Sequence, residues 1–283
     1  MHSWHGGRLS RRQTELVEYR LSEPRMIADM SWDQRGTAVL DVECAQGRFV
    51  IKAAGTADHH IDREITAYRT VTGALSRTGH APRLRYRDSA EKLIIVDHLA
   101  GELVQGSTAE FAADTYHHAG QLLRVLHGAG QRVDPDWERA EVAKSLAWLD
   151  KPHRIPARTE SALRKILGQH RCLPVTVVPT HGDWQPRNWL IDSGVVRVID
   201  FGRFAWRPAA TDFARLAAQQ WRADPALESA FLTGYGADPR EPDRWHMMAL
   251  HQAIGTAVWA HEVGDSDFEQ QGHRMIDDSL SAF

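Results

Sequence analysis

His181-Gly182-Asp183-Trp184-Gln185-Pro186-Arg187-Asn188, followed by Val198-Ile199-Asp200-Phe201-Gly202, decides the reading of this chain. The first stretch is an H-x-D with an Asn five residues after the Asp, and the second is an apolar strand ending in Asp-Phe-Gly. Between them, Trp189-Leu190-Ile191 and Val195 to Ile199 read as two short strands around an Asp192-Ser193-Gly194 turn. A tight hairpin returns the chain to where it began, so Asp200 is predicted beside Asn188. An Asp carboxylate and an Asn amide oxygen are hard donors of the kind Mg²⁺ prefers. Asp183, earlier in the same loop, is placed to accept the proton of a hydroxyl. Asp beside Gly is usually plain turn chemistry. The specific signal is the pair of stretches with a hairpin of the right length between them.

Together the two stretches match the catalytic loop and the metal loop of the kinase signature set. H-G-D-x-x-x-x-N in place of H-R-D-x-x-x-x-N resembles the aminoglycoside phosphotransferases and their small-molecule kinase relatives. The resemblance covers nearly the whole chain. It implies an α+β, two-lobed protein-kinase-like fold, with an N-terminal five-stranded antiparallel sheet carrying a helix and a mostly helical C-terminal lobe. Residues 1–96 would form the nucleotide-binding lobe, 97–101 the hinge, and 102–283 the lobe with the catalytic loop and acceptor site. It also implies ATP (with GTP as the alternative) and Mg²⁺, with Asp183 as the catalytic carboxylate and Asn188 and Asp200 as the metal ligands.

Upstream, Met26-Ile27-Ala28, Thr37 to Val42 and Arg48 to Lys52 read as strands, the last two joined by a Gln46-Gly47 turn. Val50-Ile51-Lys52 matches the strand whose Lys holds the α- and β-phosphates. A helix is expected from Asp58 to about Val71. Within it Arg63-Glu64-Ile65-x-x-Tyr68 resembles the family's Arg-Glu-x-x-x-Tyr, which makes Glu64 the partner of Lys52. His59, His60 and Glu64 lack a second ligand cluster with zinc spacing, so a zinc site is not expected. The glycine-rich G-x-G-x-x-G is absent, and Gly36 is the only glycine of its loop. Ser31 and the amides between Trp32 and Thr37 are the candidates to cover the triphosphate. Arg83 to Tyr86 and Leu93 to Val96 complete the sheet. Asp97-His98-Leu99 resembles the family hinge, where the backbones of Asp97 and Leu99 would hold the adenine edge.

Downstream, Ser107-x-x-Glu110 reads as a capping box opening a helix that buries Phe111 and Leu122. Asp134-Pro135 and Pro156 read as two further helix starts, and Val175 to Val178 as an extended run feeding His181. The resemblance gives His181 a packing role under the loop. It gives Asp212 a supporting role toward the loop backbone. Asp224-Pro225, Pro242 to Val263 and Ser266-x-x-Glu269 mark the last helices. Glu262, Asp265, Asp267, Glu269, Asp277 and Asp278 stand there with Arg274 alone of opposite sign. Acidic helices of this kind bind antibiotic amino groups in aminoglycoside kinases, so Glu262 and Asp265 are the acceptor-site candidates.

The 283 residues carry a net charge of −3, which gives no electrostatic footprint for nucleic acid. No apolar stretch is long enough for a bilayer, and the N-terminus lacks a signal peptide's apolar core. Two cysteines, Cys44 and Cys172, cannot build a disulfide framework, which fits the cytoplasm. The ten tryptophans read as core residues. The expectation is transfer of a γ-phosphoryl group to a hydroxyl of a small, cationic molecule such as an aminoglycoside or basic peptide antibiotic, as a resistance kinase. The alternatives are a choline, homoserine or sugar kinase, and a silent nucleotide-binding scaffold.

Overall fold

The computed structural model describes residues 3–31 and 36–282. The chain divides into two compact units. Residues 1–130, 179–206 and 215–237 form the first, and 131–178, 207–214 and 238–283 the second. In chain order the elements begin with α1 (Arg11–Arg20), β1 (Arg25–Asp29), β2 (Ala38–Cys44), β3 (Gly47–Ala53), α2 (His60–Thr70) and α3 (Gly73–Arg77). Next come β4 (Leu84–Asp88), β5 (Leu93–Asp97), β6 (Glu102–Leu103), α4 (Ala113–His127), β7 (Arg132–Asp134), α5 (Trp137–Leu149), α6 (Ala157–Gln169) and β8 (Val175–Thr180). The hairpin strands β9 (Trp189–Asp192) and β10 (Val195–Val198) follow, then α7 (Ala214–Ala218), α8 (Gln220–Ala223), α9 (Pro225–Tyr235), α10 (Pro242–Val263) and α11 (Ser266–Leu280).

The first unit is built on a five-stranded antiparallel sheet in the order β1-β2-β3-β5-β4. Side chains alternate between the faces of a strand, and here both faces are covered. Phe49 and Ile51 of β3 and Leu93 and Ile95 of β5 pack with Val17 and Leu21 at the C-terminal end of α1. Val50 of β3 and Ile94 and Val96 of β5 pack with Ile61 and Ile65 of α2. The unbroken apolar run of β5 reflects that burial on both sides. The same alternation decides where Lys52 goes: two residues after Val50 and opposite Ile94, it faces α2. Ser10 and Gln13 form a reciprocal capping box, and the Gln13 amide reaches the carbonyls of Ala54 and Glu91.

The 189–198 hairpin forms as expected, with Trp189 opposite Val198, and β6 extends it to three strands. α4 and α9 pack face to face through two glycines. A Cβ at Gly120 would collide with the carbonyl of Phe231, and one at Gly234 with the carbonyl of His117. Beneath the hairpin Tyr116, Trp184 and Trp189 are buried edge to face, with centroids 5.4 and 5.9 Å apart.

The second unit is helical apart from the β7–β8 pair. Leu149, Leu163, Leu250, Ile254, Val258 and Ile276 share its core. Three helix starts differ from their sequence signals. Ser107 caps a 3₁₀ turn (Thr108–Phe111), leaving Phe111 exposed, and α4 begins after it. Asp134 accepts the N–H of Asp136, which becomes the cap of α5. Asp265, not Ser266, caps α11 by accepting from Phe268 N–H. At α4 a tighter turn comes first and at α11 the preceding side chain takes the free N–H, whereas the cap residue of α5 makes no side-chain bond.

Candidate active site

Lys52 lies with its Nζ 2.9 Å from both Glu64 oxygens and 3.0 Å from Asp200 Oδ1. Glu64 is 2% and Lys52 13% exposed, so the ion pair sits in a poorly hydrated setting. Tyr68, one helical turn on from Glu64, donates to its Oε1 at 3.2 Å. Burial pushes the Lys52 ammonium toward deprotonation, but Asp200 and Glu64 outweigh it and the amine is held above its ordinary value. The two carboxylates divide one ammonium unequally. Lys52 pulls Asp200 well below the usual carboxylate range. Burial pushes Glu64 up against the pull of Lys52.

Asp200 adopts a left-handed backbone, φ 66° and ψ 69°, a conformation uncommon for non-glycine residues and typical of functional turns. A backbone bond from Gly202 supports its carboxylate. The Gly202 carbonyl in turn accepts from His60 Nδ1 at 2.9 Å, so Nδ1 carries the proton. Asp58 Oδ1 caps the start of α2 by accepting from the N–H groups of His60 and Ile61. The first turn of α2 and the turn after Asp200 are therefore tied through the backbone of Gly202.

The 181–188 loop is set by its glycine and its anchors. Gly182 has φ 79°, which favours glycine between His181 and Asp183. His181 is fully buried, with Nε2 3.0 Å from the carbonyl of Ile199 and its ring packed on Trp184 and Phe201. Ile199 N–H donates to the carbonyl of Asn188 at 3.0 Å, which brings the 181–188 loop and the residue before Asp200 together as the hairpin requires. The Asn188 amide nitrogen donates to the Asp183 carbonyl (2.8 Å) and to Oδ2 (3.1 Å), which turns its oxygen the other way.

Asp183 is nearly enclosed by donors. Gln185 Nε2 is 2.5 Å from Oδ1 and Arg187 Nη2 2.5 Å from Oδ2. Arg215 Nε is 3.0 Å from Oδ1 and Arg203 Nε 3.9 Å from Oδ2. Burial raises the Asp183 carboxyl, but Arg215, Arg187 and Arg203 prevail and hold it below its ordinary value. Of the three arginines only Arg187 lies in the same quoted stretch as Asp183. Arg203 sits directly after Asp-Phe-Gly and Arg215 three residues after Asp212, and nothing in local spacing says that either turns back to Asp183.

Other expected residues are engaged elsewhere. Ser31 Oγ accepts from Val39 N–H at 2.9 Å, while Trp32 to Arg35 lie outside the described residues. Asp97 donates its N–H to the Arg83 carbonyl and pairs its carboxylate with Arg85; Leu99, two residues on, is half-buried. Asp212 is buried at the end of a 3₁₀ turn, Ala209–Asp212. In the second unit Glu262 pairs with Lys151 (3.1 Å) and Asp265 caps α11.

The sequence matches the phosphotransferase enzyme family over residues 30–246. The chain belongs to that family. The folds of solved relatives agree. Choline kinase LicA from Streptococcus pneumoniae superposes with a TM-score of 0.65 at 12% identity, covering 96% of this chain and 100% of that one. The macrolide 2'-phosphotransferase MphH from Brachybacterium faecium gives 0.57 at 16%, covering 94% and 98%. A thermostable mutant of aminoglycoside phosphotransferase APH(4)-Ia, in ternary complex with AMP-PNP and hygromycin B, gives 0.68 at 15%, covering 95% and 97%. No curated protein matches this phosphotransferase. Among the described residues no helix is long and apolar enough to cross a membrane.

Proposed function

We propose that this phosphotransferase moves the γ-phosphoryl group of ATP to a hydroxyl of a small molecule, with Mg²⁺ as cofactor. The observation that carries the reading is Lys52 held between Glu64 and Asp200, in the same unit as Asp183 and Asn188. Lys52, oriented by Glu64, binds the α- and β-phosphates. Ser31 lies at the triphosphate, and the backbones of Asp97 and Leu99 at the adenine. Residues 1–96 then act as the nucleotide-binding lobe, 97–101 as the hinge and 102–283 as the acceptor lobe. The Asp200 carboxylate and the Asn188 amide oxygen fit Mg²⁺, which takes few protein oxygens and completes its shell with phosphate and water. Bound there, Mg²⁺ supplies charge neutralisation to the phosphates. Asp183 orients the acceptor hydroxyl and takes its proton as the new P–O bond forms. A depressed carboxyl is adequate for that role, because phosphoryl transfer depends more on positioning than on strong base. His181 and Asp212 support the loop. A cytoplasmic enzyme fits the two free cysteines.

The second reading is a resistance kinase for a cationic antibiotic, favoured by the hygromycin B complex of the structural relative. It places Glu262 and Asp265 against amino groups of the acceptor. Choline-, homoserine- or sugar-type acceptors belong to the same chemistry, since function lives in the site and not the fold.

The test is ADP release with Mg-ATP across aminoglycosides, basic peptides, macrolides, choline, homoserine and hydroxy acids, with Asp183→Asn as control. The reading expects acceptor-dependent ADP release that falls by about 10²–10⁴-fold in the control while ATP still binds. Near-normal turnover in Asp183→Asn would sink the mechanism.

A further inference from the structure

His60, Glu64 and Tyr68 are spaced four residues apart, so they stack along one side of α2. Each touches a different part of the Lys52 cluster or the turn beside it. Glu64 holds Lys52, and the Tyr68 ring meets that of Phe201 edge to face, with centroids 5.5 Å apart. His60 Nδ1 donates to the Gly202 carbonyl at 2.9 Å, and its ring is stacked on His59. Glu64 and Tyr68 belong to the family pattern quoted above; His60 lies outside it. A Cβ at Gly202 would stand 3.4 Å from both Asp200 Oδ1 and His60 Cβ, so Gly202 lies between the carboxylate and the first turn of α2. Among the described residues the Asp200 carboxylate has two hydrogen-bonding partners, Lys52 Nζ and the Gly202 backbone. Its own backbone is left-handed, a conformation that persists only where the surroundings hold it. In the proposed function Lys52 also binds phosphate oxygens, which divides its three N–H bonds further. That leaves the Gly202 backbone as the steadier hold on Asp200.

We infer that His60 is a positioning residue of the nucleotide site: its bond to the Gly202 carbonyl fixes the backbone that orients the Asp200 carboxylate for a divalent cation. The inference rests on the phosphotransferase reading and adds to it a residue that acts through another. A carboxylate held in place before the cation arrives has less freedom to lose on binding. A single hydrogen bond of this kind is worth about two- to tenfold in an equilibrium. The donor is what matters, and three substitutions separate it from the rest of the side chain. An Asn side chain carries Nδ2 one bond beyond Cγ, where His carries Nδ1, so His60→Asn keeps the bond. His60→Ala keeps the helix, since Ala is its best former, and loses the bond. His60→Phe keeps a ring against His59 and loses only the donor.

The test separates the cation from the nucleotide. ADP is titrated by calorimetry into the full-length protein with Mg²⁺ and again in EDTA, and Mn²⁺ binding to the ADP complex is followed by electron paramagnetic resonance. His60→Ala is expected to leave ADP affinity in EDTA within about twofold of the parent and to weaken Mn²⁺ binding by about five- to tenfold. His60→Asn should bring Mn²⁺ affinity back to within about twofold of the parent. His60→Phe should behave as His60→Ala does, and it takes the place of that variant if His60→Ala melts early. Unchanged Mn²⁺ affinity in both donor-less variants overturns the inference and leaves the kinase reading intact. An equal loss of ADP affinity with and without metal makes His60 a prop of the fold and also overturns it. So does a His60→Asn variant as weak as His60→Ala. Failure of the parent to bind ADP, or ADP binding indifferent to metal, removes the metal-dependent kinase reading and this inference with it.

Discussion

Two clusters of opposite stoichiometry sit in the same compact unit. At Lys52 one cation is shared by two carboxylates, Glu64 and Asp200. At Asp183 one carboxylate is shared by three arginines. The first gathers two carboxylates on one buried amine, and the second gathers three guanidinium groups on one buried carboxylate, with Arg187, Arg203 and Arg215 keeping further partners of their own. In our reading Asp200 is also the carboxylate that meets Mg²⁺.

The sharpest way to break this comparison is to remove one charge and follow turnover and stability separately. Asp200→Asn should lower turnover by about 10²-fold or more, since in the proposed function Asp200 is the anionic ligand of Mg²⁺. It leaves the Lys52–Glu64 pair one to one, so its melting temperature should be unchanged or higher. A variant that is inactive and also strongly destabilised would make Asp200 a structural charge. Glu64→Gln is expected to be milder, about tenfold in kcat/KM for ATP, because Asp200 still holds Lys52. Steady-state kinetics at several ATP concentrations separates the two.

The pH profile sharpens the contrast further. The carboxyls of Asp183 and Asp200 are both held low. Their contribution to stability is present above the ordinary carboxylate value near ~4 and is lost as pH falls through their lowered folded values. Neither group sets an activity limb at mildly acidic pH. Glu64 is displaced upward by burial, so it takes up a proton first and releases Lys52. Activity should therefore fall on acidification at a pH above the ordinary glutamate value of about 4.3, and Glu64→Gln should lack that limb. Persistence of the limb in Glu64→Gln would place it on another group. The smallest effect belongs to an exposed pair of ordinary balance. Glu262→Gln, which breaks the contact with Lys151, should change stability by no more than about 1 kcal/mol in chemical denaturation.

The two clusters also differ in how far the sequence revealed them. The Lys52–Glu64 pair was expected from the family resemblance of Val50-Ile51-Lys52 and Arg63-Glu64-Ile65-x-x-Tyr68, and the fixed hairpin put Asp200 beside Asn188, but the Asp200–Lys52 contact was not foreseen. The five strands followed from alternation and turn residues. The arginine cluster was not readable beyond Arg187. Arg203 and Arg215 reach Asp183 through long side chains from a turn and a short helix, and no periodicity records that direction. The helix starts at Asp136 and Asp265 each lie beside their signals: Asp134 takes the N–H of Asp136 so that the helix opens after it, and Asp265 rather than Ser266 takes the N–H of Phe268. Glu262 and Asp265 looked unopposed along the chain, yet Lys151, distant in sequence, lies against the first, and the second turns to its own helix.

One small link carries a mechanical meaning. Gly202 faces Asp200 through its N–H and His60 through its carbonyl, two peptide groups joined at one Cα. α2 therefore carries both Glu64, which holds Lys52, and His60, which holds the backbone two residues past Asp200. A swing of α2 would loosen the Lys52–Glu64 pair and the Gly202 contact in the same stroke. One helix is thus clutched to both sides of the Lys52 cluster.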